Sequence, residues 1–176
     1  MSRTPINSDR IIQQINALAE TDPHYMPLLA NTSALLNEEL EDVNWVGFYI
    51  MKNDTLVLGP FQGKPACIHI QPGEGVCGTA VKEKKTICVK DVHQFPGHIA
   101  CDSESRSELV IPMMNRYSDV SVCEMPPEFA AYNVIGVLDI DSPTEGRFSP
   151  EDCNALEDIV MALESVVVKS DKKIKK

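Results

Sequence analysis

The chain has 176 residues and a net charge of -10, and 43% of its residues are hydrophobic. This length and composition are typical of one compact globular domain. The length is too short for two full domains. The acidic balance argues against a nucleic-acid partner, because binding a phosphate backbone requires clustered Lys and Arg. No window holds the roughly 18 apolar residues of a membrane span, and the N-terminus lacks the apolar run of a secretory signal. We therefore expect a cytoplasmic protein without a membrane partner.

Two helices are predicted at the start of the domain, which we place at residues 1–168, ahead of a basic C-terminal tail at residues 169–176. Apolar residues at spacings of three and four in Ile11–Ala19 predict the first helix. Ser8, just before this stretch, can cap it. After a proline, Met26–Leu40 repeats this spacing in a second helix. Both helices are interpreted as packing elements, and the tail as a solvated, frayed terminus.

Antiparallel strands are predicted next. Asn44–Ile50 alternates and is rich in aromatic and β-branched residues, as is typical of a strand. Residues 51–54 supply a turn, after which Thr55–Leu58 pairs back as a hairpin. Cys67–Ile70 makes a third strand. The chain thus begins its sheet with an antiparallel arrangement.

A glycine pattern follows the third strand. Gly73–Gly78 matches the G-x-G-x-x-G pattern that binds dinucleotides where a strand leads into a long helix. Here Thr79–Lys85 allows barely two helical turns before the next strand, Thr86–Val89, and so is too short for the crossover that such a fold requires. We interpret the match as false and expect no cofactor.

The second half of the chain predicts two further strands and a polar loop. Residues 92–107 form the loop, and its length is typical of functional loops. Glu108–Met113 is a strand, which Pro112 either ends or places at an edge. Asn133–Asp141 is a strongly β-branched strand. Residues 115–132, between these two strands, are interpreted as a long hairpin insertion.

A closing helix completes the domain. Ser149 begins a capping box, and Pro150 stands at the first helical position. Five apolar residues then follow at helical spacing: Leu156, Ile159, Val160, Leu163 and Val167. Helices, then antiparallel strands, then a helix define an α+β fold.

The six cysteines admit three interpretations, because thiols in a reducing compartment serve as metal ligands, redox groups or small core residues. Zinc would need paired ligands at short spacing, which the Cys-x-His and His-x-x-Cys segments imitate only loosely, so we expect no metal. Cys88, in an apolar strand, and Cys153, on the last helix, are interpreted as core residues. The candidates for exposed redox thiols in polar, predicted loops are Cys67, Cys77 and Cys101.

Acidic and aromatic residues form a second group. Asp139 and Asp141 share one face of their strand, and Glu108 begins another strand. In one interpretation, one acid caps a turn and the other is solvated. If their face is instead the floor of a pocket, burial and like charge would raise at least one pKa, and that acid could donate a proton. Trp45 and Tyr49 also share a face, either as core or as the walls of a small-molecule site.

Five motifs extend along most of the chain between Trp45 and Phe148. They are Asn44–Tyr49, Gly59–Lys64, Gly75–Ala80, Pro96–Asp102 and Gly136–Ser142. Together with the cysteine spacing, they resemble the free methionine-(R)-sulfoxide reductases, which are single GAF-domain enzymes. The resemblance implies a GAF fold, with a central antiparallel sheet flanked by N- and C-terminal helices. It also implies an enzyme that reduces free methionine-(R)-sulfoxide at the expense of thioredoxin.

The same resemblance implies roles for individual thiols. Cys101 matches the catalytic cysteine, Cys67 the resolving cysteine, and Cys77 a third thiol that can substitute in recycling. In this chemistry a thiolate attacks the sulfoxide sulfur, an acid protonates the departing oxygen, and the thiol becomes a sulfenic acid. Condensation with a second thiol yields a disulfide, which thioredoxin reduces. The sequence leaves open whether Cys67 or Cys77 recycles the enzyme.

Other residues also match the family pattern. An acidic site suits the ammonium group of a free amino acid, which peptide-bound methionine lacks. By resemblance, the acids that bind the substrate and activate the sulfoxide are Glu108, Asp139 and Asp141, and the aromatics around its methyl group are Trp45 and Tyr49.

One segment of the chain departs from the family pattern, and a second function is also compatible with the sequence. The excursion at residues 115–132 is longer than the usual hairpin, and Cys123 within it has no counterpart. The alternative function is a GAF sensor module that binds a small ligand, with incidental or redox-sensing cysteines. A sensor is normally fused to an output domain, for which this chain has no room, although its N-terminal helices could pair two copies into a homodimer.

Overall fold

The computed structural model describes residues 3–21, 24–98, 102–115 and 133–169. These residues form a six-stranded sheet in the order β3-β2-β1-β6-β5-β4, with antiparallel neighbours throughout. The α+β class and the central antiparallel sheet flanked by terminal helices are confirmed. In chain order the elements are α1 (Ser8–Thr21), α2 (Tyr25–Glu39), β1 (Trp45–Lys52), β2 (Thr55–Gly63), β3 (His69–Ile70), α3 (Gly75–Glu83), β4 (Ile87–Val89), a 3-10 helix (Val92–Gln94), β5 (Ser107–Met114), β6 (Val134–Ser142) and α4 (Pro150–Lys169).

The sheet is covered on both faces, so its central strands bury almost every residue. Val46, Phe48 and Ile50 of β1 join a core that includes α1, α2 and α4. The alternate residues of the same strand, among them Trp45 and Tyr49, join a second core that includes α3. Because strand side chains alternate, β1 serves both layers at once. The candidate site residues lie on the α3 side.

The strands are bounded differently from the prediction in several places. β1 continues through Lys52, and the turn contains only Asn53 and Asp54, both with positive φ as a tight hairpin turn requires. β2 is longer than predicted and extends to Gly63, because its second half keeps pairing with the start of β1. The third strand is shorter and contains only His69–Ile70.

The N-terminal helices also differ in detail. The side chain of Asn7, not Ser8, caps α1, since its Oδ1 accepts a hydrogen bond of 3.0 Å from the N–H of Arg10. In α2, Met26 is 44% exposed and Leu28 takes the predicted buried position. Leu40 lies just past the end of this helix as its C-cap.

Helix α3 begins four residues earlier than predicted. Gly75 to Gly78, interpreted from the sequence as loop, form its first turn, and the N–H of Gly78 donates to the carbonyl of Glu74 at 3.0 Å. The helix ends at Glu83, and its C-cap residue Lys84 has a left-handed backbone conformation. The strand that follows pairs antiparallel with β5, so the glycines do not belong to a parallel dinucleotide-binding unit.

The predicted start of α4 is confirmed. The N–H of Asp152 donates to Ser149 Oγ at 3.1 Å, and the N–H of Ser149 donates back to Asp152 Oδ2 at 3.0 Å. All five predicted apolar positions of this helix are buried. No described helix combines the length and apolarity needed to cross a membrane.

Pro112 does not end its strand. It pairs with Val137 of β6, while β4 pairs only with Glu108–Val110 on the other side of β5. The proline therefore lies where the described strands leave that side of β5 unpaired. The predicted insertion beyond Asn115, including Cys123, and the tail from residue 170 lie outside the described residues, so the proposed domain limits stay a prediction.

Candidate active site

A cleft opens on the α3 side of the sheet, between α3 and strands β1, β5 and β6. The cleft is open to solvent, and its walls and mouth together enclose about 550 Å³. Six of the residues selected from the sequence line this cleft: Trp45, Tyr49, Cys77, Glu108, Asp139 and Asp141. Residues far apart in sequence therefore meet in one place.

The register of the sheet gathers the three acids. Glu108 on β5 lies opposite Asp141 on β6, and Val110 lies opposite Asp139. Since residues two apart share a face, all three acids project toward α3. Glu108 and Asp139 are each only 6% exposed, and Asp141 is half-buried. The interpretation in which the acids are a turn cap and a solvated carboxylate does not hold.

Burial changes the protonation of these acids. It raises the pKa of Glu108 well above its usual range, and the charges of Asp139 and Asp141 add to the increase. Burial raises the pKa of Asp139 to about 7, and hydrogen bonds from Cys77 and Glu108 limit that increase. The pKa of Asp141 is also raised well above its usual range, again chiefly by burial. The cleft thus holds carboxylic acids that keep protons near neutral pH and can donate them.

Asp139 has one unused acceptor. Its Oδ1 is buried and has no hydrogen-bond partner among the described residues. A buried carboxyl oxygen in this state is costly unless a ligand or water supplies a donor. The cleft is therefore equipped to receive a hydrogen-bond donor such as an ammonium group.

Cys77 differs from its prediction as an exposed loop thiol. It lies in the first turn of α3, is 3% exposed, and lines the cleft. Burial raises the pKa of its thiol well above the ordinary value, and the nearby charges of Asp139 and Glu108 raise it further. The prediction of an exposed thiol is wrong because α3 starts early enough to turn this residue toward the sheet.

Three of these groups could reach one metal ion. Ligand atoms of Cys77, Glu108 and Asp139 lie within 4.8 Å of one another. However, the pKa of each group is raised, and Asp139 accepts hydrogen bonds from the other two. A metal ion would have to displace these protons, whereas proton donation needs no rearrangement.

Aromatic rings form one wall of the cleft. The ring centroids of Trp45 and Tyr49 are 6.0 Å apart, those of Trp45 and Phe61 are 5.3 Å apart, and both pairs are stacked. Gly47 makes this arrangement possible, since a Cβ there would lie 2.6 Å from Trp45 and 2.4 Å from Phe61. Trp45 Nε1 donates to the carbonyl oxygen of Lys64 at 3.1 Å, which fixes the indole. The wall is apolar, flat and rigid.

The predicted thiol pair is placed only in part. Cys67 is half-buried beside this wall, and its carbonyl oxygen accepts a hydrogen bond of 3.1 Å from the hydroxyl of Tyr49. It does not line the cleft, although the two residues before it do. Cys101 lies outside the described residues. Its chain neighbours on either side of the gap, His98 and Asp102, both line the cleft.

Asp102 anchors a polar network that the sequence reasoning missed. Lys64 forms an ion pair with it at 3.2 Å, Asn44 Nδ2 donates to it at 3.3 Å, and the N–H of Glu104 donates at 2.9 Å. These donors hold the pKa of Asp102 below its usual range, the N–H of Glu104 most strongly. Asn44, Lys64 and Asp102 all belong to motifs noted in the sequence, but no local signal shows that they meet.

His98 contributes a neutral side chain beside the acids. Its Nε2 lies 3.7 Å from Glu108 Oε2. Burial lowers the pKa of His98, and the charge of His93 lowers it further. Because the pKa of Glu108 is raised while that of His98 is lowered, both shifts favour the neutral forms over an ion pair.

Comparisons with family models, with known protein sequences and with solved structures all point to the same family. The GAF domain model matches residues 8–167. The chain is 46% identical to the free methionine-R-sulfoxide reductase of Escherichia coli over 173 residues, which cover 98% of this chain and 95% of that protein. Reduced fRMsr of Staphylococcus aureus is 45% identical with a TM-score of 0.80, covering 95% of this chain and 99% of that one.

A second solved structure carries its substrate. Free methionine-R-sulfoxide reductase from Neisseria meningitidis, in complex with its substrate, is 36% identical with a TM-score of 0.79 and covers 93% of this chain and 89% of that one. These similarities extend over the whole region that builds the cleft. The chain therefore belongs to the GAF-domain family of free methionine-R-sulfoxide reductases.

Proposed function

We propose that the protein is an oxidoreductase that reduces free L-methionine-(R)-sulfoxide to L-methionine. The observation that carries this proposal is one cleft in which three buried acids with raised pKa values face a wall of stacked aromatic rings. A sulfoxide requires a proton donor at its oxygen, and a thioether methyl group requires an apolar surface. One small cleft meets both requirements.

The free amino acid is recognised through its charged ends. Its ammonium group donates to Asp139, whose Oδ1 is buried without a partner in the part of the chain that the structure describes, and to Asp141 beside it. Its carboxylate lies at the first turn of α3, where Gly75 and Val76 line the cleft. The first N–H groups of a helix lack intrahelical partners and form the positive end of its dipole. The methyl group packs against Trp45 and Tyr49.

Reduction begins at Cys101, which is covalently joined to the cleft-lining residue Asp102. Its thiolate attacks the sulfoxide sulfur while a buried acid, Glu108 or Asp141, protonates the departing oxygen. The attack forms a sulfur–sulfur bond, and the protonated oxygen then transfers to the Cys101 sulfur as the sulfoxide S–O bond and the new S–S bond break. Methionine leaves, and Cys101 is a sulfenic acid. One oxygen atom has moved from substrate to enzyme.

A second thiol completes the cycle. Cys67 attacks the sulfenic acid, water leaves, and a Cys67–Cys101 disulfide forms. Thioredoxin reduces this disulfide by thiol–disulfide exchange in the cytoplasm. Cys67 is better suited than Cys77 because it is half-buried, whereas the Cys77 thiol is deeply buried and burial raises its pKa. Cys77 remains a slower substitute.

The substrate is tested with a thioredoxin-coupled assay that offers both epimers of free methionine sulfoxide and N-acetylmethionine-(R)-sulfoxide. We expect turnover of the free R epimer, little of the S epimer, and little of the blocked form, because acetylation removes the ammonium charge. Equal turnover of the blocked form would contradict recognition by the acids. No turnover of any form would favour a small-ligand sensor instead.

The thiol roles are tested by two variants in a single turnover without reductant. Cys101→Ser should abolish formation of methionine. Cys67→Ser should still release about one methionine per enzyme but lose most of its turnover with thioredoxin. The reverse pattern would exchange the two assignments, and Cys77→Ala provides the matched control for a thiol that lines the cleft without the leading role.

A further inference from the structure

Two cysteines outside the cleft meet on the opposite face of the sheet. Cys88 is the middle residue of β4, the edge strand, and Cys153 lies in the first turns of α4. The Cys88 thiol lies close enough to Cys153 to contribute to its raised pKa. Cys88 Sγ also lies 3.9 Å from the carbonyl oxygen of Phe148, two residues before α4 begins. Neither thiol is needed for the proposed reduction.

The way β4 packs on α4 explains why the two sulfurs meet. Ile87 and Val89 join the core on the α3 side, so Cys88 projects to the other face, where α4 lies. Two residues earlier, Thr86 Oγ1 donates to Glu157, which lies one helical turn after Cys153. Thr86 and Cys88 therefore both reach the beginning of α4, Thr86 through Glu157 and Cys88 through the carbonyl oxygen of Phe148.

Exposure assigns different roles to the two thiols. Cys88 is exposed, which overturns its prediction as a core residue, because β4 is an edge strand and the start of α4 leaves this position open to solvent. Cys153 is half-buried and packs against the helical core, as predicted. Burial raises the pKa of Cys153 to about 12, and Cys88, Glu157 and Asp152 add to the increase. An external reagent therefore reaches Cys88 first, and Cys153 keeps its proton until a partner forms beside it.

We propose that Cys88 and Cys153 are a second redox-active dithiol, which a low-molecular-weight disulfide oxidises to a disulfide that joins β4 to α4. The Cys88 thiolate attacks the small disulfide, forming a mixed disulfide and releasing one small thiol. The Cys153 sulfur, giving up its proton, then attacks the Cys88 sulfur and releases the second small thiol. Two protein thiols are oxidised and one external disulfide is reduced. This modification site goes beyond the proposed function.

The disulfide would link α4 covalently to the edge strand β4. This strand pairs with β5, which carries the cleft acid Glu108 opposite Val89. It would also close the long loop of residues 89–152 in the unfolded chain. Crosslinks across long loops raise stability by restricting the unfolded state. Oxidation should therefore raise Tm.

The test exposes the full, reduced chain to oxidised glutathione, blocks remaining thiols with iodoacetamide, and maps disulfide-linked peptides by mass spectrometry. We expect a Cys88–Cys153 crosslink in the wild type. Cys153→Ser should instead accumulate one glutathione on Cys88, because the second exchange step has lost its nucleophile. Full alkylation of both cysteines, a glutathione adduct on Cys88 of the wild type without the crosslink, or a crosslink from Cys88 to Cys123 would each overturn the proposal.

Cys88→Ser is the matched variant, because its site is exposed and the substitution leaves the fold intact. After the same oxidation, its Tm should lie several degrees below that of the wild type, while the two reduced proteins should melt alike. Its turnover of free methionine sulfoxide under reducing conditions should equal that of the wild type. Equal Tm values after oxidation would show that no stabilising crosslink forms at this interface.

Discussion

At the scale of single residues, the cleft shows how burial sets the chemistry of an acid. Glu108 and Asp139 belong to strands buried on both faces, so their charged forms lose hydration. Mutual repulsion increases this cost, and the pKa of each acid is raised. A proton donor at neutral pH thus arises from ordinary carboxylates.

Asp139→Asn should change how stability depends on pH. Because the folded pKa of Asp139 is raised from 3.8 to about 7, the folded state holds a proton that the unfolded state releases. The free energy of unfolding of the wild type should fall as pH rises through this window, by up to about 1.4 kcal/mol per pH unit for one such group. The variant should show a flatter dependence, measured by urea unfolding between pH 4 and 8.

Asp91→Asn is the control with the opposite sign. The side chain of Gln94 and the N–H of His93 lower the pKa of Asp91, so its contribution is present above pH 3.8 and is lost as pH falls. The substitution should leave the slope between pH 4 and 7 intact. An unchanged slope in Asp139→Asn would show that this acid does not hold its proton in the folded state.

At the scale of elements, helix ends place the functional groups. α3 begins at Gly75, which puts Cys77 against the acids and the helix N-terminus at the cleft. α4 begins at Pro150 behind a reciprocal cap, which brings Cys153 beside the edge strand. A shift of one residue in either start would turn these side chains by about 100° around the helix axis.

Ser149→Ala should destabilise the protein by about 1 kcal/mol, because the N–H of Asp152 loses its acceptor at the start of α4. Chemical denaturation measures the difference directly. Ser8→Ala is the matched control, since Asn7 and not Ser8 caps α1, and it should change stability by much less. Equal losses in the two variants would contradict the capping assignments.

At the scale of the whole molecule, the cleft exists only in the folded chain. It unites β1, β5, β6, α3 and the segments around Lys64 and Asp102. A ligand that contacts all of them binds the folded state alone and must stabilise it. The match between the cleft and a free amino acid can therefore be measured without any chemistry.

Free L-methionine-(R)-sulfoxide should raise the Tm of the Cys101→Ser variant, in which the proposed reaction is blocked. At about one hundred times its Kd, one ligand adds about 2.7 kcal/mol, which corresponds to a rise of about 5–10 °C for a domain of this size. N-acetylmethionine-(R)-sulfoxide should raise Tm much less at the same concentration. Equal shifts would indicate that the ammonium group makes no contact with Asp139 or Asp141.

The sequence by itself determined the features that depend on local patterns. The α+β class, the capped start of α4 and the shared face of Asp139 and Asp141 all follow from residue spacing, and each is present in the structure. The motifs also led to the correct family. Local periodicity succeeds here because the alternation of a strand and the turn of a helix are properties of the backbone itself.

Tertiary structure decided which residues meet and how deeply each is buried. Cys77 was predicted exposed and is buried, Cys88 was predicted buried and is exposed, and Lys64 reaches Asp102 across the cleft. The strand order places β4 at an edge of the sheet, and α3 packs over the face that carries the acids. No short stretch of sequence encodes either arrangement. Burial in turn sets the pKa values, so the chemistry of the cleft and of the second thiol pair is a consequence of long-range packing.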